Sequence, residues 1–189
     1  KDTKDNGSGG VYPTGVKVTL FDVSDVSNPK LVDDYVIGGQ GTDSEALYDH
    51  KAFLFDKGRN LLSIPVSTYD SEPKPGPESN GMYVQPRTWR GFYVFTVSPE
   101  AGVSLKGTIE HSNSTANSQD YYYQYGVQGS RSFFIDGVLY TVSLNHLIKM
   151  NDIETLQELN RLEMGSTGGI IKYPEPLDRA QPQAGGQQQ

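Results

Sequence analysis

The chain has 189 residues, of which 35% are hydrophobic, and its formal net charge is −7. This length suits one ordinary domain, and an acidic chain without a basic stripe is a poor partner for nucleic acid. The chain contains no cysteine, which excludes disulfides, thiolate zinc sites and a cysteine nucleophile, and no apolar run is long enough to predict a membrane-spanning segment.

The first 15 residues are polar and glycine-rich, which predicts a loop or linker between strands. Because this start reads as a loop, we expect the chain to begin inside a larger protein. Two runs with alternating apolar residues follow at residues 16–23 and 31–37, and a polar turn separates them. Residues 16–38 are therefore predicted to form half of a small antiparallel sheet.

A four-stranded unit is predicted over residues 51–110. Residues 51–55 and 61–66 read as a hairpin, and the Gly and Asn of its turn supply positive φ angles. Residues 67–90 are rich in Pro, Gly and Ser, and a connection of this length predicts a functional or docking loop. Strands at residues 91–97 and 103–110 complete the unit.

The sequence pattern of this four-stranded unit recurs over residues 131–164. Aligning Asp56 with Asp136 places Phe55 on Ile135, and strands are predicted at residues 131–135, 139–143, 147–150 and 156–162. The last of these is helical by propensity, but its position in the repeat favours a strand. Residues 165–189 are rich in Gly, Pro and Gln and are predicted to be a flexible or docking tail.

The repeat predicts an all-β fold in which small sheets stack against one another. One sheet cannot bury both of its faces, so repeated sheets pack around an axis or along a line. We therefore predict a partial β-propeller of about two and a half four-stranded blades. Propellers have about four to eight blades, so the ring must be completed by residues or a chain not present here, either the N-terminal remainder of the same propeller or another chain.

Several phrases together resemble a known family. They are GVKVTLFDVSDVSNPKLVDDYVIG (15–38), SEALYDHKAFLFD (44–56), NLLSIPV (60–66), GFYVFTV (91–97) and DGVLYTVSLNHLIKMNDIETLQELNRLEM (136–164). Over residues 16–164 they are similar to the carboxyl-terminal part of secreted β-propeller-domain proteins of archaea and some bacteria, distant relatives of WD40 propellers. This resemblance implies an extracellular or envelope-associated propeller, and it brings no catalytic residue to this chain.

One predicted loop combines aromatic and guanidinium side chains, which is the composition of binding hot spots, and a second loop carries a cluster of tyrosines. They predict a surface for an envelope protein or a glycan, formed by Tyr69, Tyr83, Arg87, Trp89 and Arg90 in one loop and by Tyr121, Tyr122, Tyr123 and Tyr125 in the other. The alternatives are that the first loop packs on its own blade, with Trp89 covering a blade edge, and that the tyrosine cluster packs between blades.

Two smaller predictions concern the polar surface. Asp22 and Asp25 flank a turn and offer oxygens to Ca²⁺, although their spacing matches no EF-hand and a solvated acidic rim is the alternative. Asn6 and Asn113 each begin an Asn-x-Ser/Thr triplet, which predicts N-glycosylation in exposed loops. We therefore expect a glycoprotein, with Ca²⁺ as the one candidate cofactor.

Catalysis has little support in the sequence. Asp49 and His50 precede a predicted inner strand, where the histidine either hydrogen-bonds within its blade or serves a hydrolase. His111 and His146 lie at no metal-ligand spacing, and the chain has no nucleophile elbow or phosphate loop. The sequence thus predicts a noncatalytic binding or assembly module, with an accessory subunit of a membrane or surface enzyme complex, and a hydrolase using His50 and Asp49, as alternatives.

Overall fold

The computed structural model describes residues 1–70, 87–111, 129–144 and 147–164, and most of these lie in β-strands. The described strands form three antiparallel sheets, in which each strand pairs with its neighbours in sequence. The first blade contains β1 (Asp2–Asp5), β2 (Val11–Asp22) and β3 (Lys30–Ile37). The second blade contains β4 (Leu54–Asp56), β5 (Leu61–Asp70), β6 (Arg87–Ser98) and β7 (Gly102–Glu110). The third blade contains β8 (Gly129–Ile135), β9 (Val138–Ser143), β10 (Leu147–Asp152) and β11 (Glu158–Glu163). The predicted all-β fold of stacked blades is confirmed.

The aligned hairpins of the second and third blades turn through left-handed residues. Asn60 has φ 53° before β5, and Asp136 and Gly137 have φ 48° and 86° before β9. Only Gly, Asn and Asp adopt this backbone at low cost, so these residues specify the turns locally. The two turns differ in length, since four residues connect β4 to β5 and two connect β8 to β9, so the repeat is one of strands and apolar spacing. The prediction of a positive φ for the glycine of the first turn, Gly58, is wrong.

The second blade is covered on both faces because its strands alternate two sets of apolar side chains. One face carries Leu62, Ile64, Val66 and Phe95, which cluster with Val16 and Ile37 of the first blade. The opposite face carries Leu61, Phe92, Val94 and Ile109, which cluster with Leu139 and Ile153 of the third blade. Phe92 and Phe95 are both 0% exposed, although they project from opposite faces of the same strand.

Polar contacts also join the blades. The N–H of Val103 in β7 donates to a carboxylate oxygen of Asp33 in β3 at 2.8 Å. Between the second and third blades, Arg131 of β8 forms an ion pair with Asp49. The three sheets are thus held by two apolar interfaces, each with a charged group at its margin.

The prediction of a loop over residues 1–15 is wrong for most of that segment. Strand β1 pairs with the first part of β2, which begins at Val11 instead of residue 16. The glycine-rich stretch is the turn between them, where the side-chain oxygen of Asn6 accepts the N–H groups of Ser8 and Gly10. The pattern misled because these strands are largely exposed and lack apolar alternation.

Other boundaries also differ. Residues 51 and 52, predicted as strand, lie in a 3-10 turn (His50–Ala52), because the carboxylate of Asp49 accepts the N–H of Lys51 and caps the turn. Strands β5 and β6 extend to Asp70 and from Arg87, so the described ends of the predicted loop 67–90 are paired strand. The segment with helical propensity is strand β11, as the repeat predicted.

Candidate functional site

The outer face of the third blade is apolar and half-exposed. Phe133 and Tyr140 are cross-strand partners whose rings stack at a centroid distance of 5.0 Å. Phe133 is 40% exposed and Ile135 is 53% exposed, and both alternate with Phe134, which packs toward the second blade. Leu162 of β11 is also exposed on this sheet. Such a contiguous apolar patch is typical of an interaction surface.

The first blade has a comparable outer face. Phe21, Val32 and Val36 are exposed there, beside an ion pair of 2.8 Å between Lys17 and Asp34. The hydrogen bond from Lys17 to the Asp34 carboxylate raises the pKa of the Lys17 ammonium. Both terminal blades of the described structure therefore leave apolar side chains on an uncovered sheet face. The second blade is covered on both faces, and its exposed apolar side chains, Phe55 and Leu105, lie on its two edge strands.

An apolar groove of about 290 Å³ lies between the first and second blades. One wall is strand β2, which contributes every residue from 16 to 20. Leu47, Phe53 and Phe55 also line the groove, as do Leu62 and Ile64 of the core cluster. Leu47, Phe53 and Phe55 are 39–50% exposed, so the groove is open to a further apolar group.

His111 is the buried polar residue of the interface between the second and third blades. Its Nε2 atom lies 2.8 Å from the hydroxyl oxygen of Thr141 in β9, and its ring is edge-on to Phe92. The pKa of His111 is lowered to about 4, chiefly by burial and then by the charge of Lys149, while the charge of Glu158 opposes the shift. His111 is therefore a neutral structural residue at neutral pH, and its hydrogen bond joins two blades, whereas the sequence predicted such a bond for His50 within one blade.

The predicted aromatic surface is described only in part. Tyr83, Tyr121, Tyr122, Tyr123 and Tyr125 lie outside the described residues, and for Tyr69 and Arg87 only the strand positions, in β5 and β6, are described. Trp89 packs on the core cluster of the first two blades and meets Tyr93 edge-on at 5.2 Å. Arg90 is half-buried, and its carbonyl accepts the N–H of His111. Trp89 thus follows the packing alternative, and the binding role of the other residues stays a prediction.

The two predicted calcium aspartates hold their own turn. One carboxylate oxygen of Asp22 accepts the N–H of Ser24, and this bond lowers the pKa of Asp22. Asp25 accepts the N–H of Ser27 in the same way. Among the residues that the structure describes, no three His, Asp or Glu side chains form a group that could hold a metal ion. Calcium binding at Asp22 and Asp25 stays a prediction.

One of the two predicted glycosylation sites lies within the residues that the structure describes. Asn6 is exposed at the tip of the β1–β2 hairpin, where its side-chain oxygen is engaged by the turn. Asn113 lies outside the described residues, as does His146. Modification at either asparagine stays a prediction.

Asp49 and His50 do not form a catalytic pair in this structure. The carboxylate of Asp49 accepts the N–H of Lys51 and pairs with Arg131, and these contacts lower its pKa. His50 is exposed at the start of the 3-10 turn. The charge that orients Asp49 comes from the neighbouring blade, so this carboxylate serves blade packing.

Within the described ranges, no helix has the length and apolarity needed to cross a bilayer.

A family model described as "Beta propeller domain" matches residues 1–156. No curated protein and no solved structure gives a significant match. The match extends over the first two blades and most of the third.

Proposed function

Since the chain belongs to the β-propeller domain family, we propose that it is part of an extracellular or cell-envelope propeller that acts as a noncatalytic binding or assembly module. Its partners are the blades that complete the ring, supplied by the same polypeptide or by another chain. An envelope protein or a glycan is then bound on the completed rim.

One observation carries this proposal, namely the contrast between the middle of the described structure and its two ends. Phe92 and Phe95 of the second blade are 0% exposed because a blade covers each face. Phe133 of the third blade and Phe21 of the first blade are 40% and 53% exposed. Burying an aromatic or aliphatic side chain contributes about 1.5–3 kcal/mol, so both terminal faces favour the addition of another blade.

The extracellular location is supported by the resemblance to secreted propellers and by the exposed position of Asn6 within its glycosylation triplet. The proposal of a noncatalytic role is supported by the contacts of Asp49, which pairs with Arg131 instead of orienting His50. A propeller is a rigid platform that hosts many functions. The ligand is therefore to be found on loops of the assembled rim.

The proposal is tested by purifying the tagged chain from the envelope fraction of its native host and measuring the mass and stoichiometry of what copurifies. We expect a polypeptide with additional blades in a fixed ratio. Phe133→Lys, which places a charge on the outer face of the third blade, should reduce its recovery about tenfold. Val26→Lys changes a fully exposed turn residue and should not.

Two results would change the conclusion. Recovery of the chain as a free, folded monomer with hydrolytic activity would overturn the proposal. Recovery in fixed ratio with a redox or hydrolytic subunit would instead favour an accessory role in a surface enzyme complex.

A further inference from the structure

Strand β2 is paired along only part of one edge. Residues 11–15 pair with β1 on that edge, whereas residues 16–22 pair with β3 on the other edge. In the part of the chain that the structure describes, no strand lies beside residues 16–22 on the β1 side. Alternate residues of an antiparallel strand direct N–H and C=O groups to each side, so this edge presents backbone groups that another strand can bind.

The free edge opens directly into the apolar groove. Five consecutive residues of β2, from 16 to 20, line the groove, which happens when an edge and both neighbouring faces are accessible together. The opposite side carries Phe53 and Phe55, which are about half exposed. A strand beside β2 would therefore satisfy backbone groups and bury apolar side chains at the same time.

The side chains along this edge do not protect it against pairing. Residues 16–22 read VKVTLFD. Lys17 is paired with Asp34, and Asp22 stands at the end of the strand, where its carboxylate accepts the N–H of Ser24. Strand β11 is the opposite case, because it is exposed along its length and carries Glu158, Arg161 and Glu163. Charged residues are a common protection of exposed edges, so β2 has the composition of an edge that is normally covered.

We propose that residues 16–22 of β2 receive an antiparallel strand that continues β1 in line beyond Lys1. This inference rests on the proposed function and deepens it, since it names the form in which the completing polypeptide joins the first blade. The register supports a segment continuous with β1. Asp2 lies opposite Gly15, so Lys1 falls opposite Val16, and the segment before it runs opposite Lys17 to Asp22.

The same register specifies the pattern of the added strand. Cross-strand partners share a face, and Val18 and Leu20 pack on the core cluster beside the groove. The positions opposite these two residues are therefore apolar. The positions opposite Lys17 and Thr19 face the other side and are polar. A slip of one residue would reverse both faces.

This proposal is tested with two N-terminal extensions of the full chain, each adding six residues before Lys1, one for each of Lys17 to Asp22. In the first extension valine lies opposite Val18, Leu20 and Asp22 and threonine lies at the other positions; in the second the two residue types are exchanged. Hydrogen exchange is measured for the amides of residues 17–22. Amides of β6 around Phe92, which lie in the buried core, report that each protein is folded.

We expect the first extension to slow exchange of the edge-facing amides at least about tenfold and to raise the melting temperature, and the second extension to do neither. Phe55→Lys, placed in the first extension, should remove the protection. Phe133→Lys changes a phenylalanine of similar exposure in the third blade that lines neither the groove nor the edge, and it should leave the protection unchanged.

Equal protection by both extensions, or by neither, would overturn the proposal. The same conclusion follows if Phe55→Lys has no effect on protection by the first extension. Failure here is distinguishable from failure of the proposed function: a native partner that copurifies in fixed ratio while residues 17–22 exchange freely would retain the assembly role and exclude this edge as its attachment.

Discussion

Acidification should destabilise this protein through His111 before its carboxylates titrate. Burial lowers the pKa of His111 from 6.5 to about 4 in the folded protein, whereas the unfolded chain has the ordinary value. Between these values the unfolded state binds more protons, so the free energy of unfolding falls as the pH falls. The loss begins near pH 6.5 and is complete below about pH 4.

The magnitude follows from the difference between the two pKa values. At about 1.4 kcal/mol per pKa unit, the full loss is about 3 kcal/mol, and about 2 kcal/mol of it is reached at pH 5. This is a large part of the stability of a typical domain. The physical cause is that a charged imidazole at the interface with the third blade would lose hydration and face the ammonium of Lys149.

The assay is urea unfolding followed by Trp89 fluorescence at pH 7, 6 and 5, with the wild type compared with His111→Gln. We expect His111→Gln to be less stable at pH 7 but to lose little further stability on acidification. His50→Gln, which changes an exposed histidine, is the control and should keep the wild-type pH dependence. Parallel loss of stability in the wild type and in His111→Gln between pH 7 and 5 would refute the reasoning.

Three further outcomes are expected. Gly129→Ala should lower the free energy of unfolding by about 1–3 kcal/mol in thermal or urea unfolding, because its new Cβ would lie 2.8 Å from the ring of Phe92. Gly39→Ala, whose Cβ would meet nothing closer than 3.7 Å, should be nearly neutral. Equal effects of the two substitutions would contradict this packing. Phe92→Ala should lower the free energy of unfolding by about 3–5 kcal/mol in the same assay. Phe21→Ala, at a half-exposed site, should lower it far less. Wild-type stability of the Phe92→Ala protein would show that Phe92 is not part of the core. In protein from the native host, Ser8→Ala should remove the glycan mass from the peptide that contains Asn6, as measured by mass spectrometry. The backbone N–H of residue 8 still donates to the side chain of Asn6 in this variant. Retention of the glycan mass would show that this triplet is not the acceptor.

The parts of the fold that depend on local chemistry could be predicted from the sequence. The hairpin turns were found because Asn60, Asp136 and Gly137 are residues that adopt positive φ. Strand β11 was identified against its helical propensity because the repeat placed it. The segment before β2 was missed, since a hairpin of polar, exposed residues has no apolar alternation and is specified by the side chain of Asn6.

The site could be predicted less well, because side-chain roles depend on which blades meet. The sequence favoured His50 as the hydrogen-bonded histidine, yet the buried one is His111, whose partner Thr141 is 30 residues away. Asp49 looked like a partner for His50, and its charge partner Arg131 lies in the neighbouring blade. Spacing along the chain carries no signal for contacts of this kind.

The sequence by itself determined the repeat and all the described strands except β1, because apolar alternation and turn residues act over a few positions. The tertiary structure alone decided which faces are covered, which edge is free and which histidine is buried. These properties arise where separate blades pack, so they depend on burial between residues that are distant in sequence.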